Sequence, residues 1–446
     1  MTLLAATPAR ARMVFAGAVV AYLIAVLQRS TLGVAGVAAS QRFEVSASAL
    51  ATLGVVQLAV YALLQVPVGV LVDRFGPKAV IVVGAALMAA GQVVVAFAPV
   101  LPVGVLGRML VGAGDATTFV AALRLVNAWF PPGRVPVLSQ WLGNLGQFGQ
   151  VLSAVPFAAL LGISGWTGAF LGVAGVSVVA LAAALVLLSD APEGARSGHT
   201  DLRAALVGLR AAVRRRGTRL GFWAHFVTQS SGVMFALFWG YPFLVSGVGL
   251  SRPAASALLT VQVLAGFLVG PALGSLTARH PLRRSNLVFA IVTLLGVAWA
   301  LVLLFPGTPP VALLVLLSIA LGIGGPGSQI GFDYARTFNP RTGLGGASGF
   351  VNVGGFSASF TMIFLVGFLL DLQHTLTGAP LYSLGAFRVA LAVQYLVVGL
   401  GVVAFVVTRR STRAQMREED GVVIDPLWLA LHARVRARRR APRKRL

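Results

Sequence analysis

Apolar residues run along this chain in long, nearly unbroken stretches, and the polar positions collect between them. Twelve stretches are long enough to cross a bilayer, which takes about 20 residues of α-helix. The pattern predicts helices over 13–39, 47–71, 79–98, 101–128, 137–161, 167–188, 220–245, 254–277, 285–305, 311–335, 344–370 and 386–408. The first run is too long for the apolar region of a signal peptide and is expected to remain a span.

Composition sharpens this picture. Of the 446 residues, 57% are hydrophobic and 11% charged, against about 25% charged in soluble proteins. That excludes a soluble enzyme, a disordered chain and an ordinary nucleic-acid binder. The chain has no Cys, so disulfides, thiol nucleophiles and Cys-ligated metals are excluded. No phosphate loop, nucleotide motif or metal-ligand spacing occurs, and no cofactor is expected.

The net charge is +23, and the meaning of the 35 basic residues lies in where they fall. With the N-terminus in the cytoplasm, 29 of them lie in cytoplasmic segments and three, Arg42, Arg252 and Arg388, in outside loops. The remaining three, Arg29, Arg108 and Arg124, fall within spans. Excess Lys and Arg mark the cytoplasmic side, so both termini are expected there, in a bacterial inner membrane. Segment 189–219 carries seven arginines and separates six spans from six; an amphipathic helix is expected near 201–215. In the tail, Asp425 can cap a helix with Pro426 at its first position, followed by LWLALHARVRARRR. Its basic end suits anionic lipid headgroups rather than nucleic acid.

The halves repeat. Shifted by 205 residues, Gln57 falls on Gln262, Gly69 on Gly274, Arg74 on Arg279 and Lys78 on Arg283. Shifted by 208, Phe130 falls on Phe338, Asn144 on Asn352, Gly146 on Gly354 and Phe148 on Phe356. The expected fold class is all-α integral membrane: twelve transmembrane helices in two duplicated six-helix bundles. The expected units are bundle 1–188, linker 189–219, bundle 220–408 and basic tail 409–446. Such repeats enclose a central site near the bilayer midplane.

Gly69-Val-Leu71-Val-Asp73-Arg74-Phe-Gly76-Pro-Lys78 matches every defined position of the loop signature G-x-L-x-D-R-x-G-x-K/R, and so resembles the major facilitator superfamily. Arg108-x-x-x-Gly112-x-Gly114 resembles that family's span 4 motif. Arg29, Asp115 and Trp129-Phe130-Pro131 make the first half look most like its anion–cation symporters and metabolite transporters. Two features depart from the family. The span 5 Gly-Pro motif of drug–proton antiporters is absent from 143–156, and span 7 offers His225 where anion carriers often have arginine. The resemblance implies alternating access. It also implies that Asp73, Arg74 and Lys78, with Gly69 and Gly76, form a charge network latching the halves on the cytoplasmic side.

Charge inside a span is costly and marks a candidate functional site. Of twelve acidic residues only Asp115 lies well inside one. Arg108 and Asp115, seven apart, share a face of span 4 about 10 Å apart along the axis. Burial and a nearby cation act in opposite directions on a carboxylate. Asp115 is therefore the candidate proton carrier, with Arg108 assisting; a permanently paired structural carboxylate is the alternative. Arg29, 16 residues into span 1, offers a rigid fork of donors for an anion; the alternative is an ion pair with Asp115. Arg124 is expected to snorkel or to gate, and Asp333 and Arg336, three apart, to form a gate salt bridge. Gln57, Tyr61 and Gln65 share one face of span 2. With Asn144, Gln147, Gln262 and Asn352 they are expected to face inward, touching ligand or a neighbouring helix. Glycines on spans 5 and 11 are expected to pack those spans against spans 8 and 2.

The sequence thus reads as a proton-coupled carrier taking up a small organic anion, with Asp115 holding the proton and Arg29 the anion. A proton-driven drug or metabolite exporter is the alternative. A non-transporting membrane sensor or scaffold is the third reading.

Overall fold

The computed structural model describes residues 8–44, 47–192, 201–378, 380–419 and 421–424. The tail helix expected from Asp425 onward lies outside them. Twelve principal helices follow one another: α1 (Pro8–Val34), α2 (Ala47–Phe75), α3 (Pro77–Phe97), α4 (Leu101–Trp129), α5 (Val135–Leu152), α6 (Ala158–Leu187), α7 (Arg216–Met234), α8 (Arg252–Arg279), α9 (Arg284–Leu303), α10 (Val311–Phe338), α11 (Leu344–Thr377) and α12 (Leu384–Glu419). No strand occurs among the described residues.

Among the described residues, ten continuous helical stretches are long and apolar enough to cross a membrane. One of them, Val135–Leu187, holds two of the expected spans in 53 residues. It passes through a π turn at Ser153–Phe157 and bends at Gly165, whose φ of 65° and ψ of −172° suit a residue without Cβ. Pro156 supplies no N–H, which accounts for the widened turn. The expected seventh span is the remaining one. It runs from α7 through π turns at Phe235–Trp239 and Phe243–Gly247. Its polar residues, including His225, Gln229 and Ser231, keep its mean hydropathy below that of the ten.

Two ends differ from expectation. α1 stops at Val34 and a separate short helix covers Gly36–Phe43. α12 continues past 408 to Glu419, where Arg409 donates to Ser285 Oγ at 2.8 Å and lies over the Phe289 ring. The linker helix forms at Leu202–Arg214, close to its expected place, and packs on α2 and α11.

Apolar surface alone does not hold helices together in lipid; close packing does. α2 packs against α11 and α5 against α8, joining the first six helices to the last six as expected. Glycine makes these crossings possible. A Cβ at Gly69 would stand 2.8 Å from the Gly345 carbonyl carbon, and one at Gly274 2.9 Å from the Pro136 oxygen. Between the crossings the halves separate around a cavity.

Candidate functional site

The cavity has a volume of about 940 Å³. Its lining reaches Gly36 and Gly54, at the end of the molecule away from the termini. All seven residues expected to bind substrate line it: Arg29, Gln57, Tyr61, Asn144, Gln147, Gln262 and Asn352. Among the described residues Arg29 is the one Arg, Lys, Asp or Glu in the lining.

Arg29 projects from α1 and grips Asp115 of α4 through both ends of its fork. Nε lies 2.7 Å from Oδ2 and Nη2 2.9 Å from Oδ1. Its side chain is 21% exposed while that of Asp115 is fully covered. The guanidinium therefore stands between the carboxylate and the cavity. The Tyr61 ring lies 4.7 Å from its central carbon, a cation–π contact that adds a second support. A bidentate pair of this kind is strong because each charge satisfies the other in a place where an unpaired charge is expensive.

Arg108 is buried completely, but it does not join this pair. It donates to Thr31 Oγ1 at 3.1 Å, to the carbonyls of Gln28 at 3.4 Å and Arg29 at 3.2 Å, and to Gln57 Oε1. Its contacts are thus neutral oxygens of α1 and α2. Gln92 extends the network, donating to Gln28 Oε1 at 2.5 Å. The Arg108 charge acts on Asp115 only through space.

Three amides bridge the halves across the cavity. Asn144 donates to the Phe267 carbonyl at 3.0 Å, Gln140 to the Pro326 carbonyl at 2.8 Å, and Asn352 to Gln65 Oε1 at 2.6 Å. Asn352 also reaches the Tyr61 hydroxyl at 3.5 Å. Asn144, Gln140 and Asn352 line the cavity and each holds a neighbouring helix.

Tyr22, His225, Gln229 and Ser328 also line the cavity and were not among the expected binding residues. The signal for Gln229 was its place four residues after His225, on the same helical face. His225 reads from sequence as a packing histidine. Its Nδ1 does meet the Ser328 carbonyl at 2.9 Å, and its ring packs on Phe332.

The termini side is closed, by contacts that differ from the expected charge network. Asp73 is buried and accepts from the amides of Gly345 and Gly346, each at 2.9 Å. Those amides open α11, where unpaired N–H groups and the helix dipole favour an anion. The Lys78 amide donates to Asp190 Oδ1 at 2.7 Å, and its ammonium to the Leu185 carbonyl at 2.7 Å. Lys78 thereby ties α3 to the end of α6, within one half. Gly76, at φ 82°, makes the turn between α2 and α3 beside Asp190. Arg74 lies over the Phe75 ring. Arg124 feels the charges of Asp73 and Asp190 from α4. In the second half the expected Arg336–Asp333 pair forms at 3.2 Å. Arg284, which reads from sequence as a loop charge, is buried and donates to the Asp333 carbonyl at 3.3 Å and Thr337 Oγ1 at 2.7 Å.

The sequence model of the Major Facilitator Superfamily matches residues 18–363. A protein of Escherichia coli K12 named "Probable galactarate/D-glucarate transporter GarP" is 23% identical over 403 residues, covering 83% of this chain and 90% of its own. "Transcription regulatory protein OpdE" of Pseudomonas aeruginosa is 32% identical over 273 residues, covering 58% of this chain and 63% of its own. Among solved structures, the fold resembles the transporter FucP in its outward conformation. The TM-score is 0.63 at 17% identity, over 87% of this chain and 98% of that one.

Proposed function

The chain belongs to the major facilitator superfamily, and from that premise we propose that it takes up a small organic anion together with a proton. It is a multi-pass membrane transporter, not an enzyme. The observation that carries the proposal is the bidentate Arg29–Asp115 pair at the cavity wall.

The pair supports an exchange of partners. While Asp115 is ionised it holds the Nε–Nη2 edge of Arg29 and balances its charge. A proton on Asp115 cancels that charge and frees the fork for a carboxylate from the cavity. Loss of the proton after reorientation restores the internal pair and expels the anion. Proton and anion then move together, because the single charge of Arg29 balances one buried carboxylate at a time. Arg108 and Asp73 support the cycle by holding α4 against α1 and α2, and α2 against α11. The name of the Escherichia coli relative, a sugar-diacid transporter, agrees with an organic anion. The strong bias of basic residues toward the termini side supports cytoplasmic termini in a bacterial inner membrane. With that topology the cavity opens outward, ready for uptake.

A second reading, a membrane sensor that does not turn over, draws on the name of the Pseudomonas relative. Reconstitution separates the two. Purified protein in liposomes, with an inside-alkaline gradient of one pH unit, is offered radiolabelled organic acids. Uptake should exceed equilibrium by up to about tenfold for one proton per solute. Asp115→Asn should abolish accumulation yet retain exchange of label across the membrane. Accumulation that survives Asp115→Asn rejects the proton role. A protein that moves no solute but binds one is the sensor, and export of a lipophilic cation in antiport with protons would make it a drug exporter.

A further inference from the structure

The linker helix Leu202–Arg214 precedes α7, and its residues fall into three stripes. Ala205 and Ala212 are buried and mark the edge that packs on α2 and α11. Leu202, Leu206, Leu209 and Val213 follow one another at helical spacing and form the next stripe. Leu202 and Leu206 are large and apolar, yet 40% and 46% exposed. Arg203, Arg210 and Arg214 run beside them at the same spacing, all exposed. The arginines that follow are committed to the protein. Arg215 donates to Asn339 Oδ1 at 2.9 Å, Arg216 to the Ser411 carbonyl at 3.2 Å and Arg219 to the Val213 carbonyl at 3.0 Å. Arg203, Arg210 and Arg214 make no hydrogen bond or ion pair among the described residues.

The helix lies over the α2–α11 crossing and touches one helix of each half. A Cβ at Gly346 would stand 3.3 Å from Leu209 Cδ1. Leu209 therefore covers the turn whose Gly345 and Gly346 amides hold Asp73. Gly208 lies beside Gly343, just before α11, where a Cβ would stand 3.8 Å from the Gly208 oxygen. If the halves part on this side, the helix must leave α2 or α11.

We infer that this helix binds anionic lipid in the termini-side leaflet and, so bound, straps the α2–α11 crossing shut. An apolar stripe bordered by a basic one is the pattern of a helix lying in the bilayer interface, its apolar side at the acyl boundary and its cations among the headgroups. Leu202 and Leu206 take the first place, and Arg203, Arg210 and Arg214 the second. A free anion would meet the arginines and leave the leucines in water; a lipid meets both. The bound helix touches both halves, so opening must break its hold on the lipid or on one half. Lipid charge thereby acts on the gate without entering the cavity.

The test places the full chain in nanodiscs of phosphatidylcholine, alone or mixed with phosphatidylglycerol. Ser348→Cys supplies a single cysteine; Ser348 is buried near the start of α11, so its thiol labelling reads opening. Labelling should be about tenfold slower with phosphatidylglycerol, the effect of a few arginines at a charged surface. High salt should cancel the difference. Arg203→Gln, Arg210→Gln and Arg214→Gln together should remove the lipid effect and leave the rate in phosphatidylcholine unchanged. Arg279→Gln, Arg283→Gln and Arg417→Gln, which remove the same charge elsewhere, should leave the effect intact. In a separate Leu206→Cys protein, an environment-sensitive fluorophore should shift to the blue with phosphatidylglycerol and be quenched by spin-labelled lipid. Equal labelling in both lipids, a lipid effect that survives the first triple variant, or one lost equally in the second overturns the inference. So does a Leu206 probe that stays in water. Neither readout involves transport, so the proposed function and this inference can fail separately.

Discussion

Two crossings close the termini side, and both rest on a glycine set against the backbone of the facing helix. Where α2 meets α11, Gly69 lies against Gly345, and Asp73, one turn later, accepts from two α11 amides. Where α8 meets α5, Gly274 lies against Pro136 and Val137, and the repeat partner of Asp73 is Ala278. The steric part of the crossing is kept in both copies, because backbones must approach closely in each. The electrostatic part exists once. A cycle that must open this side is served by one releasable latch, and a second would deepen the closed state. The same division runs through the cores. In the first half Arg108 gathers α1 and α2 around a charge, while in the second Trp299 donates to Ser231 and Ser231 to Gln394, without charge.

Substitutions at these crossings break or sharpen the contrast. The chain has no native Cys, so a single cysteine introduced on the termini side reports opening by its rate of thiol labelling. The largest effect is expected for Gly345→Val. A Cβ there would stand 2.9 Å from Asp73 Oδ1, and overpacking of this kind costs up to about 3 kcal/mol. Labelling should accelerate on the order of a hundredfold, with a lower Tm; an unchanged rate would mean that the glycine pair does not set the crossing.

Asp73→Asn comes next. The amide keeps one acceptor oxygen but loses the charge, and it leaves one α11 N–H without its carboxylate. A loss of about 2 kcal/mol corresponds to roughly 30-fold faster labelling, with Tm little altered. If labelling stays slow, the latch is steric alone. The smallest effect, of opposite sign, is expected for Ala278→Asp. It would add a carboxylate at the start of α5, where Pro136 has no N–H to give, so one amide rather than two can answer. About 1 kcal/mol of added closure should slow labelling about fivefold, and transport with it. Faster labelling in this variant would show that the two crossings do not open together.

How much of this was legible in the sequence follows from the solvent. In lipid every backbone group must bond within its own helix, so span lengths and apolar runs coincide, and the helices stand where the hydropathy pattern put them. The same rule made Arg29 and Asp115 visible as charges that had to have a purpose. The glycine repeats announced which helices approach, since only small residues permit it. The linker helix was legible because its arginines and apolar residues alternate with helical period.

What the sequence left open was decided by which faces meet. Arg29 and Asp115 are 86 residues apart, and no local pattern says that their forks align. Arg108 shares a helix face with Asp115, yet turns to carbonyls of α1. Asp73 stands in a run of charges, and its partners are backbone amides of α11 that have no side chain to read. Gln57 and Gln262 are the same residue at equivalent places, yet Gln57 accepts from the Arg108 guanidinium while Gln262 donates to the Gly232 carbonyl. The sequence by itself determined the number, order and duplication of the helices, because those depend on each segment's own contact with lipid. Tertiary structure decided the chemistry of the cavity, because hydrogen-bond polarity and ion pairing belong to pairs of groups that only packing brings together.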